Sequence, residues 1–203
     1  MATTTAQVAQ PNASDPRVKR TRQLLLKAFT DLAQEKGISA ISVQDIAERA
    51  TVNRATFYAH FEDKYALMSS WIREEFQQVL ARKIPASATL SVHNLRVLIL
   101  SVFDFLATFY GSCKRSDTQF EPMFETTMQQ ELCDVFLGWL KQGASPTIQG
   151  EKLETTAQIV SWAIFGPAVQ WSRGARIRSS EEMSRDVLAI VLASLSGVVG
   201  PIS

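Results

Sequence analysis

The stretch from Ser42 to Phe61, SVQDIAERATVNRATFYAHF, constrains the fold more than any other part of the chain. It reads as two short helices joined by a tight turn. Ser42 and Asp45 supply an N-cap oxygen and an acidic third residue for the first helix, where both complement its unpaired amides. The pattern resembles a capping box with Asp in place of the usual Glu or Gln. Ile46, Ala47 and Ala50 recur at helical spacing and leave small residues where a second helix must approach closely. Asn53 is placed to cap that second helix. Within it Phe57 and Phe61 stand one turn apart and face a core, which leaves Arg54, Thr56, Tyr58 and His60 on other faces. Those four carry donors suited to phosphate oxygens or base edges. The arrangement is that of a helix-turn-helix, which sets one helix into the major groove of DNA.

The charge distribution agrees with this reading, although the net charge of +1 alone does not. Residues 17–60 hold eight Lys or Arg against four Asp or Glu, whereas residues 61–203 hold thirteen against fifteen. Positive charge therefore gathers around the two short helices, as an electrostatic footprint for a polyanion requires. A solvated surface is the plainer account of so small an excess. With 46% hydrophobic and 20% charged residues over 203 positions, the chain has the composition of an ordinary soluble protein with a proper core.

Helical periodicity runs through the rest of the chain, and no segment alternates as a strand would, so the expected fold class is all-α. A first helix spans about 16–36, with Asp15 at its cap, Pro16 in its first turn and Gly37 beyond its end. Its Val18, Leu25, Phe29 and Leu32 form a stripe that can close a three-helix head. Asp63 opens a connector helix through Trp71 and Phe76 to about Arg82. Four more segments follow, at about 90–111, 118–142, 151–176 and 180–198, punctuated by Gly111, the Gly143 to Pro146 turn and Ser179-Ser180. Gly166-Pro167 is expected to kink the third of these, and Ser180 with Glu181 and Glu182 to open the last. The implied domains are an N-terminal arm at 1–15, expected to be disordered, a helix-turn-helix domain at 16–62 and a helical body at 63–203.

Met1 to Ser14 lacks the basic and apolar regions of a signal peptide, so a cytoplasmic protein is expected. No segment reads as the roughly 20 apolar residues that cross a bilayer; Val97–Tyr110 comes closest and reads as a core helix interrupted by Ser101, Asp104 and Thr108. Cys113 and Cys133 form no Cys-x-x-Cys pair and read as small buried hydrophobes, with a redox pair as the alternative. His60 and His93 are the only histidines, and no metal-binding or phosphate-loop motif accompanies them.

The order of a three-helix head, a turn and then Thr56-Phe57-Tyr58-Ala59-His60-Phe61-Glu62-Asp63-Lys64-Tyr65-Ala66-Leu67 resembles the TetR/AcrR family of one-component bacterial transcription regulators. The resemblance covers about residues 17–67. It departs at Thr51, where the family usually has glycine. If the turn needs a positive φ there, a β-branched residue costs about 1–2 kcal/mol. The resemblance implies that Arg54, Ala55 and Thr56 open the recognition helix, with Arg54 suited to a guanine and the Ala55 and Thr56 methyls to thymine. Tyr58, His60 and Lys64 match positions that hold phosphates, and Gln44 adds a base or phosphate contact. Two alternatives are a Tyr58 ring in the core and a His60 that merely caps its helix.

For the body, the resemblance implies an inducer pocket, and Trp71, Phe103, Phe109, Met123, Phe124, Met128, Trp162 and Phe165 lie at spacings that could line one. Plain core is the simpler account of each. The mixed apolar faces of the final helix, with Val187, Ala189, Ile190, Ala193 and Leu195, suit a two-fold dimer formed by the last two helices of each subunit. The implied partners are a palindromic double-stranded DNA operator, a small-molecule effector of unknown identity and a second copy of the chain, with no cofactor and no membrane. The implied mechanism is a ligand that tilts the connector helix and spoils the spacing of two recognition helices. The rival classes are a small-molecule carrier or protein adaptor built on a helical bundle and, with less to stand on, an enzyme.

Overall fold

A computed structural model of the protein describes residues 15–112, 119–143 and 151–199, and among these there are helices and turns but no strand. Residues 1–14 of the expected N-terminal arm, Cys113, and the turn beyond Gly143 to Pro146 lie outside the described residues. The chain divides into two compact units, with the division falling between Trp71 and Ile72.

The first unit contains α1 (Pro16–Lys36), a short 3-10 turn (Ile38–Ala40), α2 (Val43–Arg49), α3 (Arg54–His60) and the start of α4 (Lys64–Ala81). Local chemistry sets each boundary. The Asp15 carboxylate accepts from the Arg17 amide at 2.8 Å, and Pro16 needs no amide partner in the first turn. α1 ends where Gly37 takes a φ of 84°, which any side chain would resist. Asp63 accepts from the amides of Tyr65 and Ala66 at 2.8 Å each and so starts α4. Leu25, Leu26, Ala28, Phe29 and Leu32 of α1 pack with Ile46 and Ala47 of α2 and Phe57 of α3 in one core. Val18, expected in that stripe, is only half-buried.

Two ion pairs tie the end of α1 to α2. Arg49 grips Glu35 bidentately at 2.7 Å on both arms, and Lys36 reaches Asp45 at 2.9 Å. All four side chains are partly exposed, so the pairs orient the helices more than they stabilise them.

The second unit holds the remainder of α4, then α5 (Val92–Ser112), α6 (Glu121–Gly143), α7 (Glu151–Arg173) and α8 (Ser180–Val199). α5 packs on α7 and α8, and α6 on α7. α5 is more apolar than expected: from Val92 to Gly111 it is long and apolar enough by length and composition to cross a membrane. Leu95, Leu98, Ile99, Val102, Phe103 and Leu106 are nevertheless fully buried within the unit, as in a core helix. On the α4 side, the buried Glu131 carboxylate of α6 takes the Arg73 guanidinium at 2.9 Å and the Gln77 amide at 3.0 Å. A carboxylate in that position needs both partners to offset its lost hydration.

One boundary differs from expectation. α7 continues through Pro167 but stops at Arg173, because the Gly174 amide turns back to Gln170 and Trp171 and Arg176 adopts a φ of 49°. α8 opens at Ser180 with Glu181 and Glu182 in its first turn, as expected, and Ser179 is its cap. Ser179 and Glu182 exchange bonds at 3.2 and 2.9 Å, while the Ser180 hydroxyl donates to Asp104 of α5 at 2.9 Å.

Candidate nucleic-acid interface

Within the first unit, α2 and α3 are held by reciprocal caps and by a turn whose geometry can be followed bond by bond. The Ser42 amide donates to the Asp45 carboxylate at 2.7 Å, and the Asp45 amide donates back to the Ser42 hydroxyl at 3.1 Å. The capping box is complete with aspartate. Hydrogen bonding by the Ser42 hydroxyl, with Lys36 beside it, holds the Asp45 carboxyl well below its ordinary value.

At the end of α2 the Thr51 amide donates to the Glu48 carbonyl at 3.0 Å and the Val52 amide to the Ala47 carbonyl at 2.9 Å. This pair of bonds is a Schellman motif, whose closing residue sits in the left-handed region. Thr51 has a φ of 58°. The strain anticipated at this departure from glycine is therefore present. Thr51→Gly is expected to stabilise the protein by roughly 0.5–1 kcal/mol, the relief of a left-handed β-branched residue less the added freedom of the unfolded chain. Urea denaturation should show a higher midpoint at unchanged slope; a lower midpoint would refute the strain.

Asn53 caps α3 by accepting from the Thr56 amide at 2.7 Å and the Thr56 hydroxyl at 2.9 Å. The Thr56 proton is thus committed to the cap. Phe57 is buried at 0% exposure with its ring 5.9 Å from that of Phe61, as a core anchor should be. On the opposite side Arg54, Ala55 and Tyr58 are exposed. The Arg54 guanidinium leans along the helix to the Tyr58 hydroxyl at 3.4 Å, so the two stand together on the outer face. Tyr58 is about half exposed, which places its ring outside the core.

His60 and Lys64 are half-buried. Burial, with Arg22 nearby, holds His60 below its usual pKa, and the Arg22 guanidinium lies 4.6 Å over the Phe61 ring. Lys64 donates to the Ile41 carbonyl at 3.0 Å, strapping the start of α4 to the residue before Ser42. Gln44 is exposed on α2, its amide bonded to Glu48 one turn on. Arg54, Ala55, Thr56 and Tyr58 thus share one short helix, while Lys64 and Gln44 flank it from neighbouring elements.

The expected body residues fall in both units. Trp71 falls in the first unit with its ring 5.6 Å from Phe29, and its buried indole nitrogen has no hydrogen-bond partner among the described residues. Phe109 stacks on the buried Phe124, with Phe105 and Tyr110 completing the group. Phe103 packs on Trp171 instead. Met128 is buried, Met123 half-buried, and Phe165 buried beneath a Trp162 that is 57% exposed. Beside the stack lies a polar cluster that sequence reading did not single out. Arg173 of α7 pairs with Glu121 at 2.5 Å and Glu125 at 2.7 Å and lies over the Tyr110 ring, whose hydroxyl donates to Glu125. Burial and that carboxylate make the Tyr110 phenol a weaker acid than usual.

Residues 25–70 match the family model described as bacterial regulatory proteins, tetR family. Over 104 residues the chain is 31% identical to the transcriptional activator DhaS of the dhaKLM operon of Lactococcus lactis, covering 51% of this chain and 54% of that protein. It is 24% identical to the transcriptional repressor DhaR of a Mycobacterium species, covering 82% and 86%. The chain spans about half the length of DhaS and about a fifth of another curated regulator that it matches. Among solved structures, the fatty acid degradation regulator FadR of Bacillus halodurans superposes with a TM-score of 0.51 at 16% identity, covering 83% of this chain and 96% of that one. The similarity to FadR is one of fold.

Proposed function

We propose that this chain, whose residues 25–70 match the tetR family model, is a member of that family and a one-component transcription regulator that binds a palindromic operator as a homodimer. The observation that carries the proposal is α3: a fixed short helix with Arg54, Ala55 and Tyr58 outward and Phe57 locked inward. A head at 16–62 reads DNA and a body at 63–203 binds effector and partner. In the head, Arg54 reads a guanine, the Ala55 and Thr56 methyls meet thymine, and Gln44, Tyr58, His60 and Lys64 bind base edges or phosphates. The relatives include an activator and a repressor; repression is the outcome proposed here. The operator sets the site of action as the cytoplasm. The stack around Phe124, edged by Arg173 and its carboxylates, is the proposed effector site, suited to a small ligand with an apolar body and a polar end.

Support for the dimer lies on α7 and α8. Ile159, Trp162 and Ala163 are exposed along one side of α7, as are Ala189, Ile190 and Ala193 on α8. Large apolar side chains lined up on a surface mark an association site. Two such subunits would set their recognition helices about 34 Å apart, one turn of DNA. An effector acts by binding the DNA-incompetent form more tightly, with couplings of roughly 1–3 kcal/mol typical.

Selection of duplexes from a random pool tests the function. A recovered site should have two-fold symmetry, and failure to enrich any sequence would overturn the proposal. Trp162→Glu with Ile190→Glu is expected to yield monomers by sedimentation at micromolar concentration and to weaken operator binding at least 100-fold. A variant that remains dimeric would place the interface elsewhere.

A further inference from the structure

We infer that the first two turns of α1 form a second DNA-binding surface, a basic strip that lies on the phosphate backbone beside the groove occupied by α3. Arg17, Lys19, Arg20 and Arg22 fall within six residues at the start of this helix. Nothing in folding favours them there. The amino-terminal end of a helix carries partial positive charge and favours acids, yet the first turn of α1 contains none beyond the capping Asp15. Like charges at Arg17 and Arg20, and again at Lys19 and Arg22, stand three apart, a spacing at which they repel. Arg17, Lys19 and Arg20 are exposed and form no ion pair among the described residues. By contrast, the basic residues at the other end of the head, Lys36 and Arg49, are each paired with a carboxylate.

The position of the strip identifies its partner. Arg22 lies over the ring of Phe61, the residue that closes α3. Lys19 is one turn earlier on the same side of α1. The strip therefore begins where the recognition helix ends, and a duplex lying along α3 presents its flanking phosphates at that point. Guanidinium and ammonium groups that read charge and not sequence suit that polymer. The inference rests on the proposed operator binding of α3.

The test is the combined variant Arg17→Ala, Lys19→Ala, Arg20→Ala, titrated in fluorescence anisotropy from about 50 to 300 mM KCl against two probes. One is a duplex selected by the wild-type protein from a random pool, the other an unrelated duplex of equal length. For every phosphate that the variant no longer neutralises, the slope of log affinity against log salt should flatten by about 0.9. Both probes should weaken by tenfold or more at about 100 mM salt, with the preference between them kept. The thermal midpoint should stay or rise, since cations leave the positive end of a helix. An unchanged salt slope, or a midpoint that falls, would overturn the strip while leaving α3 as the reader. Absence of any sequence preference in the wild type would instead overturn the operator reading, and the strip with it.

Discussion

Arg54→Ala is expected to weaken operator binding by about 30-fold to 10⁴-fold while leaving binding to unrelated duplex nearly unchanged. One bidentate contact to guanine discriminates by about 1–3 kcal/mol, and a symmetric dimer loses it twice, so about 2–6 kcal/mol is at stake. Arg54 is exposed, and its long contact to Tyr58 supports no core residue, so the thermal midpoint should not move. Arg54→Lys should recover little, because an ammonium cannot reproduce the planar fork. The measurement is anisotropy at fixed salt with both probes. Equal loss on the two would mean that Arg54 holds a phosphate and that α3 is not the reader.

Phe57→Ala should have the largest effect on stability, about 3–5 kcal/mol. The ring is fully buried and meets both Tyr58 and Phe61 at ring distances of 5.4 and 5.9 Å. A unit built on so few helices holds little more stability than that. The head should therefore become a substrate for trypsin under conditions where the wild type resists, with early cuts after Arg49 and Arg54. Phe57→Leu, which keeps most of the volume, should restore resistance. Cleavage no faster than in the wild type would show that α3 is held by something other than this anchor.

The elements were largely legible in the sequence because their signals are local. Asp15, Ser42 with Asp45, Asn53 and Asp63 each cap a helix within three residues of themselves, and such patterns survive without knowledge of the fold. The misses have equally physical origins. The start of α8 at Ser180 was legible, but not the bond of the Ser180 hydroxyl to Asp104, which lies far off in the chain. α7 stops at Arg173, directly before Gly174, a stop signal that a reading to 176 passes over, and the left-handed residue beyond it is Arg176, whose identity announces no turn. The outer face of α3 could be read from spacing alone. The Lys64 strap to Ile41, the Arg22 contact with Phe61 and the cluster of Arg173 with Glu121 and Glu125 could not, because each joins residues far apart in the chain.

The uncovered residues of α7 and α8 bear on dosage. If pairing through Ile159, Trp162 and Ile190 precedes operator binding, then below the dimer dissociation constant the number of competent molecules rises with the square of chain abundance. Halving expression would then leave about a quarter of the operator-binding species. Such a gene would respond to its own copy number far more steeply than a monomeric regulator does.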